Sequence, residues 1–248
     1  MNLFVAIFQD NIQEIKNIIS SNPSLIEKTL TTISEMDELY ASCNRDHSLG
    51  DPKYHEETPL LFAARLGRLD VCKILVELGA DINAINNYGH NAYMCALDNT
   101  DANIHTALYL LDQPMLNLKH TTYGKYDALL QTIRAFHHYY GTEADKASED
   151  KVTTLIHRLL EKGFYINEKQ GACNDSPLTI ACSHQSWWMV VFLISLGADY
   201  NHNSSIGAGI KDSLTMNAYL SGEIKKQIKE TILKNIEIKQ YPFGKLSF

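Results

Sequence analysis

Apolar residues along this chain recur as pairs of short helical periods separated by glycine. In the clearest stretch, Leu60, Ala63 and Ala64 share one face of a short helix, and Val71, Ile74, Leu75 and Leu78 share a face of a second, the three-to-four-residue spacing of amphipathic helices. Thr58 stands before Pro59, which predicts a helix capped by a hydroxyl with proline at its first position. Gly67 ends the first helix and Gly79 the second, because glycine takes a left-handed φ without a Cβ clash. Asp81 to Ala84 then lead into a turn. A helix pair this short cannot bury its own apolar face; it needs copies of itself on both sides.

The copies are present. Ser176-Pro177-Leu178-Thr179-Ile180-Ala181-Cys182 repeats the start of the pattern and Phe192 to Asn201 its end. Asn91 to Leu97 and Tyr126 to Thr132 are weaker versions, with second helices predicted near Asn103 to Leu111 and near Asp150 to Glu161. An asparagine closes each unit, at Asn83, Asn117, Asn167 and Asn201, at intervals of 34, 50 and 34. The middle interval is one repeat plus an insertion near 136–150, which predicts longer helices or a projecting loop in that unit.

Both ends are degenerate. Ala6, Ile12, Ile15, Ile18 and Ile19 outline a first unit over 1–24, closed by Pro23. Residues 25–56 exceed an ordinary connection and carry Ile33, Met36, Leu39 and Tyr40 at near-helical spacing; they predict an inserted helix or long finger, and loops of this length are usually functional or mobile. From 213 to 248, Leu214, Met216, Ala218 and Leu220 predict one helix and Ile224, Ile228, Ile232 and Ile236 another. Lys225, Lys226, Lys229 and Lys234 supply the polar outer face that a terminal unit requires.

The run Thr58-Pro59-Leu60-Leu61-Phe62-Ala63 resembles the T-P-L-H-x-A signature of the ankyrin repeat, whose period is about 33 residues, with Leu61 in the His position. The resemblance implies an all-α solenoid of stacked helix-turn-helix units with hairpin-like finger loops. It implies a single domain over 1–248, with repeats at 57–84, 85–117, 118–167 and 168–201 between the degenerate ends. It also implies a protein–protein interaction module that binds a partner protein through its concave face and finger loops, without catalysis.

The same resemblance says where a partner would touch. The fingertips fall at Lys53-Tyr54-His55-Glu56-Glu57, Asn86-Asn87-Tyr88-Gly89-His90, Thr121-Thr122-Tyr123-Gly124-Lys125 and Gly171-Ala172-Cys173-Asn174-Asp175. Tyr88 and Tyr123 align at one repeat position, each followed by a glycine, with His55 in that place in the earlier unit and Tyr54 beside it. They form an aromatic strip, or else each packs on the neighbouring finger; tyrosine offers a large amphipathic area at low entropic cost. Asn87, His90 and Lys125 complete the tips. On the inner helices the variable positions are Arg65 and Leu66, Asp98 and Asn99, and Ser183 and His184, with Leu66, beside a charge, either exposed in a protein-binding groove or in contact with the next repeat. Trp187 aligns with Leu69 and is expected in the core. Trp188 aligns with the exposed Asp70, as an interaction anchor or under an irregular neighbour.

Composition narrows the alternatives. A net charge of −7 counts against a general nucleic-acid binder, which needs a positive surface. Five scattered cysteines without a CxxC pair suit reduced thiols in the cytoplasm. Leu3 to Phe8 lack the basic flank of a secretory signal, and the longest apolar run, Trp187 to Ile194, is far short of the roughly 20 residues of a membrane helix. The expectation is a monomer with a protein partner, no nucleic acid, no membrane insertion, no cofactor and no metal.

No phosphate loop, zinc-protease helix or nucleophile elbow is present. Cys72, Cys182 and Met94 occupy packing positions. Cys43 and Cys173 fall in loops, with nothing in the sequence to supply a base. His137-His138-Tyr139-Tyr140 are adjacent, poor geometry for ligating a metal from one helix. Two alternatives to a simple binding module remain at this level: a bacterial or viral effector acting on a host protein, and a cysteine-based hydrolase with its site in one of the insertions.

Overall fold

The computed structural model describes residues 2–29, 37–39, 41, 56–97, 103–136, 143–207, 209–210 and 221–240, with backbone alone at 143–148 and 236–240. Two compact units divide the chain, residues 1–123 and 124–248. Among the described residues there is no strand, only an isolated bridge between Gln170 and Asp175. The chain is an all-α repeat fold, as the pattern predicts.

Unit 1 contains α1 (Leu3–Phe8), α2 (Ile12–Ser21), a 3-10 turn (Pro23–Glu27), α3 (Pro59–Arg65), α4 (Leu69–Glu77), α5 (Ala92–Ala96) and α6 (Ile104–Leu111). The odd-numbered helices stack on one another and the even-numbered ones form a second layer behind them. Every residue of α3 and α5 is buried. α1, α5, the partner helix α4 and the 3-10 turn enclose α3, and α5 packs on α3 and on its partner α6. Ala63, Ala64, Ala92 and Ala96 keep the inner layer thin enough for the helices to approach, and Met94 is buried among them.

Unit 2 contains α7 (Ala128–Ala135), α8 (Glu143–Glu161), α9 (Pro177–Ser183), α10 (Trp187–Ser195) and α11 (Gly222–Gln240). α9 packs on α7 and on α10, and α11 covers α10, with Ile228 fully buried at its centre. The insertion near 136–150 lengthens a helix: α8 has 19 residues where α4 has nine. Of the 25–56 insertion, the 3-10 turn is described, and Leu39 is buried while Glu38 accepts from the Asn2 backbone and side chain. Most of it, the first helix of the C-terminal cap (214–220), Cys43 and His137 to Tyr140 lie outside the described residues.

The weakened repeats keep the chemistry of the strong one at each inner-helix start. Thr58 Oγ1 accepts from Leu61 N, and Asn2, Asn91, Asp127 and Ser176 do the same three residues ahead, Ser176 within a reciprocal capping box. All are residues that cap well. At the helix ends Gly67 has φ +69°, and Asp10 and Gln185 hold the left-handed turn at +57° and +58°. Each turn is closed by a backbone bond back into its helix, Asn11 to Ala6, Arg68 to Ala63 and Ser186 to Ala181.

Gly67 is constrained twice. A Cβ there would sit 1.7 Å from Asn103 Oδ1, and Asn103 is held because its Nδ2 donates to the Arg65 carbonyl at 2.7 Å. Gly79, at φ +94°, has open space around it. Gly79→Ala should therefore cost only the left-handed conformation, about 1 kcal/mol, and Gly67→Ala at least about 2 kcal/mol. Urea denaturation of the two variants measures both; equal losses would mean that Asn103 yields.

Candidate functional site

Among the described residues, the fingertips of unit 1 present two exposed tyrosines, Tyr88 and Tyr123. In the first tip, Asn86 N donates to the His90 carbonyl and Gly89 N to the Asn86 carbonyl. Asn86 Oδ1 accepts from both Tyr88 N and His90 N at 2.9 Å. One buried asparagine thus shapes the turn, and Gly89 takes φ +76° at its corner.

The next finger fastens onto this glycine. Tyr123 N donates to the Tyr88 carbonyl at 3.2 Å, and His120 Nε2 lies 2.9 Å from the Gly89 carbonyl, which makes that nitrogen the donor. A Cβ on Gly89 would meet Tyr123 N at 2.9 Å and Tyr123 Cδ1 at 3.2 Å; the ring occupies the space that a side chain would need. Tyr88 is 50% exposed and Tyr123 68%, and the Tyr88 ring stands 6.1 Å from that of His90. Asn87 and His90 are half-buried, and Ile85 is exposed on the same finger.

The alignment of the two tyrosines is corrected by the turns. Gly89 lies two residues before the cap Asn91; two residues before the cap Asp127 stands Lys125, at φ +62°, and Gly124 is not left-handed. Glu56 and Asn174 hold the equivalent left-handed places at φ +53° and +54°. Tyr88 therefore corresponds to Gly124, and Tyr123 lies one residue earlier in its own finger. That offset lets the Tyr123 amide reach the Tyr88 carbonyl.

Other candidates are placed differently from expectation. Arg65 is buried, not presented to a partner: its Nε donates to Glu57 Oε1 at 2.7 Å and its Nη2 to Glu57 Oε2 at 2.8 Å, with Glu57 itself at 0% exposure. Its guanidinium also lies 5.4 Å from the Phe62 ring. Leu66 is half-buried, because it caps the end of a helix whose every residue is buried. Trp187 is half-buried rather than core: it is the first residue of α10, at the rim of the layer, as Leu69 is in α4. Trp188 is also half-buried, while His184 and Lys125 are exposed. Tyr54, His55 and Asp98 lie outside the described residues.

Unit 2 carries a polar clamp between its fingers that the sequence did not reveal. Asp127 N donates to Gln170 Oε1 at 2.8 Å and Gln170 Nε2 to Asp127 Oδ2 at 2.6 Å. Tyr126 OH donates to Asp175 Oδ2 at 2.8 Å, with the Arg134 guanidinium 5.1 Å from the Tyr126 ring. Burial, then the hydrogen bond and negative charge of Asp175, push the Tyr126 phenol up to about 12, against a smaller opposing pull from Arg134. Cys72, Cys95 and Cys182 are buried and Cys173 is half-buried. Burial pushes the Cys72 thiol far up, away from the thiolate a nucleophile requires. Among the described residues no His, Cys, Asp and Glu group could hold a metal ion.

Comparison with known proteins follows the repeats. A family model described as "Ankyrin repeats (3 copies)" matches residues 3–121, and one described as "Ankyrin repeat" matches 173–202, together more than half of the chain. The ankyrin repeat and KH domain-containing protein mask-1 of Caenorhabditis elegans is 28% identical over 156 residues, covering 58% of this chain. The match spans only 6% of that protein's length. Among solved structures, the ankyrin repeat domain of Bcl-3, described as a unique member of the IkappaB protein family, matches with a TM-score of 0.58. That alignment covers 95% of this chain and 86% of the other at 19% identity, a likeness of fold.

Two outcomes are expected from the buried groups. Arg65→Met leaves the Glu57 carboxylate buried without its cation and should cost about 3–5 kcal/mol, whereas Glu57→Leu with Arg65→Met should recover most of that loss; urea midpoints compare them. For Tyr126, the folded chain releases its proton later than the unfolded chain does. Its contribution is therefore complete below about pH 10 and is lost as pH rises towards about 12. The stability difference between the native chain and Tyr126→Phe should shrink across that window; a difference flat with pH would remove the Asp175 contact as its cause.

Proposed function

This chain belongs to the ankyrin-repeat family, and from that premise we propose that it is a non-catalytic recognition module that captures a partner protein on the finger edge of unit 1. Ankyrin repeats are generally protein-interaction modules. The observation that carries the narrower reading is the pair Tyr88 and Tyr123, exposed side by side while their backbones are hydrogen-bonded to each other. Rings held by the main chain lose little freedom when a partner covers them, and tyrosine is enriched among the residues that dominate interface energies. The inner helices α3 and α5 are buried along their whole length, which favours the fingers over the inner-helix surface of this unit. The buried thiols, with Cys72 held protonated, support a module that binds without reacting.

The test is affinity capture with the native chain, Tyr88→Ala/Tyr123→Ala and Tyr165→Ala, the last altering an exposed tyrosine in unit 2. All three should keep native helical circular dichroism and melting behaviour. The double variant should lose at least about tenfold in apparent affinity for the retained partner, and Tyr165→Ala almost nothing. Capture that survives the double change would move the binding face elsewhere.

A further inference from the structure

The loops that close the repeats of unit 1 form a second exposed surface, separate from the finger edge. α4 ends at Glu77 and α6 at Leu111, and the two helices pack side by side in the outer layer. The loop after α4 is tied to the loop after α6 by Asn83, whose Nδ2 donates to the Met115 carbonyl at 2.9 Å and whose Oδ1 accepts from Asn117 N at 2.7 Å. Met115 is 76% exposed, the most exposed of the large apolar side chains among the described residues, and Leu78, the C-cap of α4, is 40% exposed. The fold does not demand apolar side chains at these places. Counted from the closing asparagines, Met115 stands where Asp81 does, and Leu78 where Asp112 does.

Charge narrows the occupant. Residues 77–85 and 109–117 contain Glu77, Asp81 and Asp112, all exposed, and no Lys or Arg. Lys73, one turn before Glu77 on α4, is held by Asp70 at 2.9 Å. The Glu77 charge is felt on the neighbouring helix: the Tyr109 phenol of α6 is held above its usual value by burial first, then by Cys72 and Glu77 of α4. Around this edge, residues 1–123 contain 16 Asp and Glu against 8 Lys and Arg. An acidic segment or a nucleic acid would meet like charge here, and an uncharged apolar segment would cover the carboxylates without pairing them. A segment that carries Lys or Arg between aliphatic residues complements both features, its apolar face on the exposed methionine and leucine and its cations on the carboxylates. The flexible thioether of Met115 adapts to aliphatic shapes of different kinds. We propose that this edge docks a basic amphipathic segment of a partner protein, with Met115 and Leu78 as its apolar contacts and Glu77, Asp81 and Asp112 as its charge complement.

The probe is a dye-labelled amphipathic peptide of leucine and lysine at helical spacing, titrated by fluorescence anisotropy against the full chain beside its leucine–glutamate counterpart. The lysine peptide should bind at least about tenfold more tightly than the glutamate peptide. Met115→Ser/Leu78→Ser should weaken it at least about fivefold at unchanged net charge, with Met115→Ser alone as the second variant should the pair melt early. Glu77→Gln/Asp81→Asn should weaken it and flatten its dependence on salt. Tyr88→Ala/Tyr123→Ala should leave it within about twofold, since the tyrosines belong to another surface; dependence on them instead would move the peptide to the finger edge and overturn the proposal. Loss with the carboxylate variant but with neither apolar variant means diffuse attraction to an acidic unit, and it overturns the docking surface, as does a native chain that fails to bind the lysine peptide. Equal binding of the two peptides overturns the basic occupant. Sedimentation of the chain alone supplies the last outcome: self-association that Met115→Ser/Leu78→Ser abolishes makes the occupant a second copy, not a partner's segment.

Discussion

The structure depends on one constraint: a helix pair that cannot bury its own face must hold the next pair at a fixed height, and asparagine side chains do the holding. Asn83 accepts from Asn117 N at 2.7 Å and donates to the Met115 carbonyl at 2.9 Å. In unit 2, Asn167 accepts from Asp199 N at 2.7 Å and donates to the Gly197 carbonyl at 3.4 Å. Each primary amide, with an acceptor and donors on one planar group, brackets the loop of the following repeat. In unit 1 the bracketed residues lie 32 and 34 positions beyond Asn83 and in unit 2 they lie 30 and 32 positions beyond Asn167, so the same device serves both units; the insertion before Asn167 is taken up by lengthening α8.

Within that spacing, side chains are exchangeable where their physical task is met. Asn, Asp, Ser and Thr all cap inner helices, and Asp10 and Gln185 do at helix ends what Gly67 does. Glycine is needed where backbone or side chain closes in, as at Gly67 against Asn103 and Gly89 against Tyr123. The same closeness that stacks the repeats gives the fingers their shape. The Gly89 corner receives a hydrogen bond from His120 and the edge of the Tyr123 ring, so the aromatic surface is an extension of the stacking ladder. The main-chain bond that joins the fingers also holds the backbones of both tyrosines, which is how a short loop can present large rings in a fixed place.

Charge is handled in two opposite ways. Glu57 and Arg65 are enclosed as a bidentate pair, where each is needed because the other is buried. Asp127, Gln170, Asp175 and Tyr126 close the fingers of unit 2 by direct hydrogen bonds. The finger that carries Tyr88, residues 82–97, contains no Asp, Glu, Lys or Arg. Polar groups that look in the sequence like invitations to a partner are in these cases the joints of the molecule.

From residues alone, periodicity, caps and asparagine intervals determine the repeat fold, because each is a local rule acting within one or two helical turns or one repeat length. The inner and outer helices, the cap at Thr58 and the packing role of Met94 were legible for that reason. Which exposed-looking residue is free to bind was not. Arg65 and Glu57 are eight positions apart and meet only after α3 forms and the surrounding elements enclose it, and the offset of Tyr123 from Tyr88 depends on which residue takes the left-handed turn, Gly89 in one finger and Lys125 in the next. Gln170 and Asp127 are 43 positions apart. Burial and partnership at such separations are properties of the stack, and only the tertiary structure decides them.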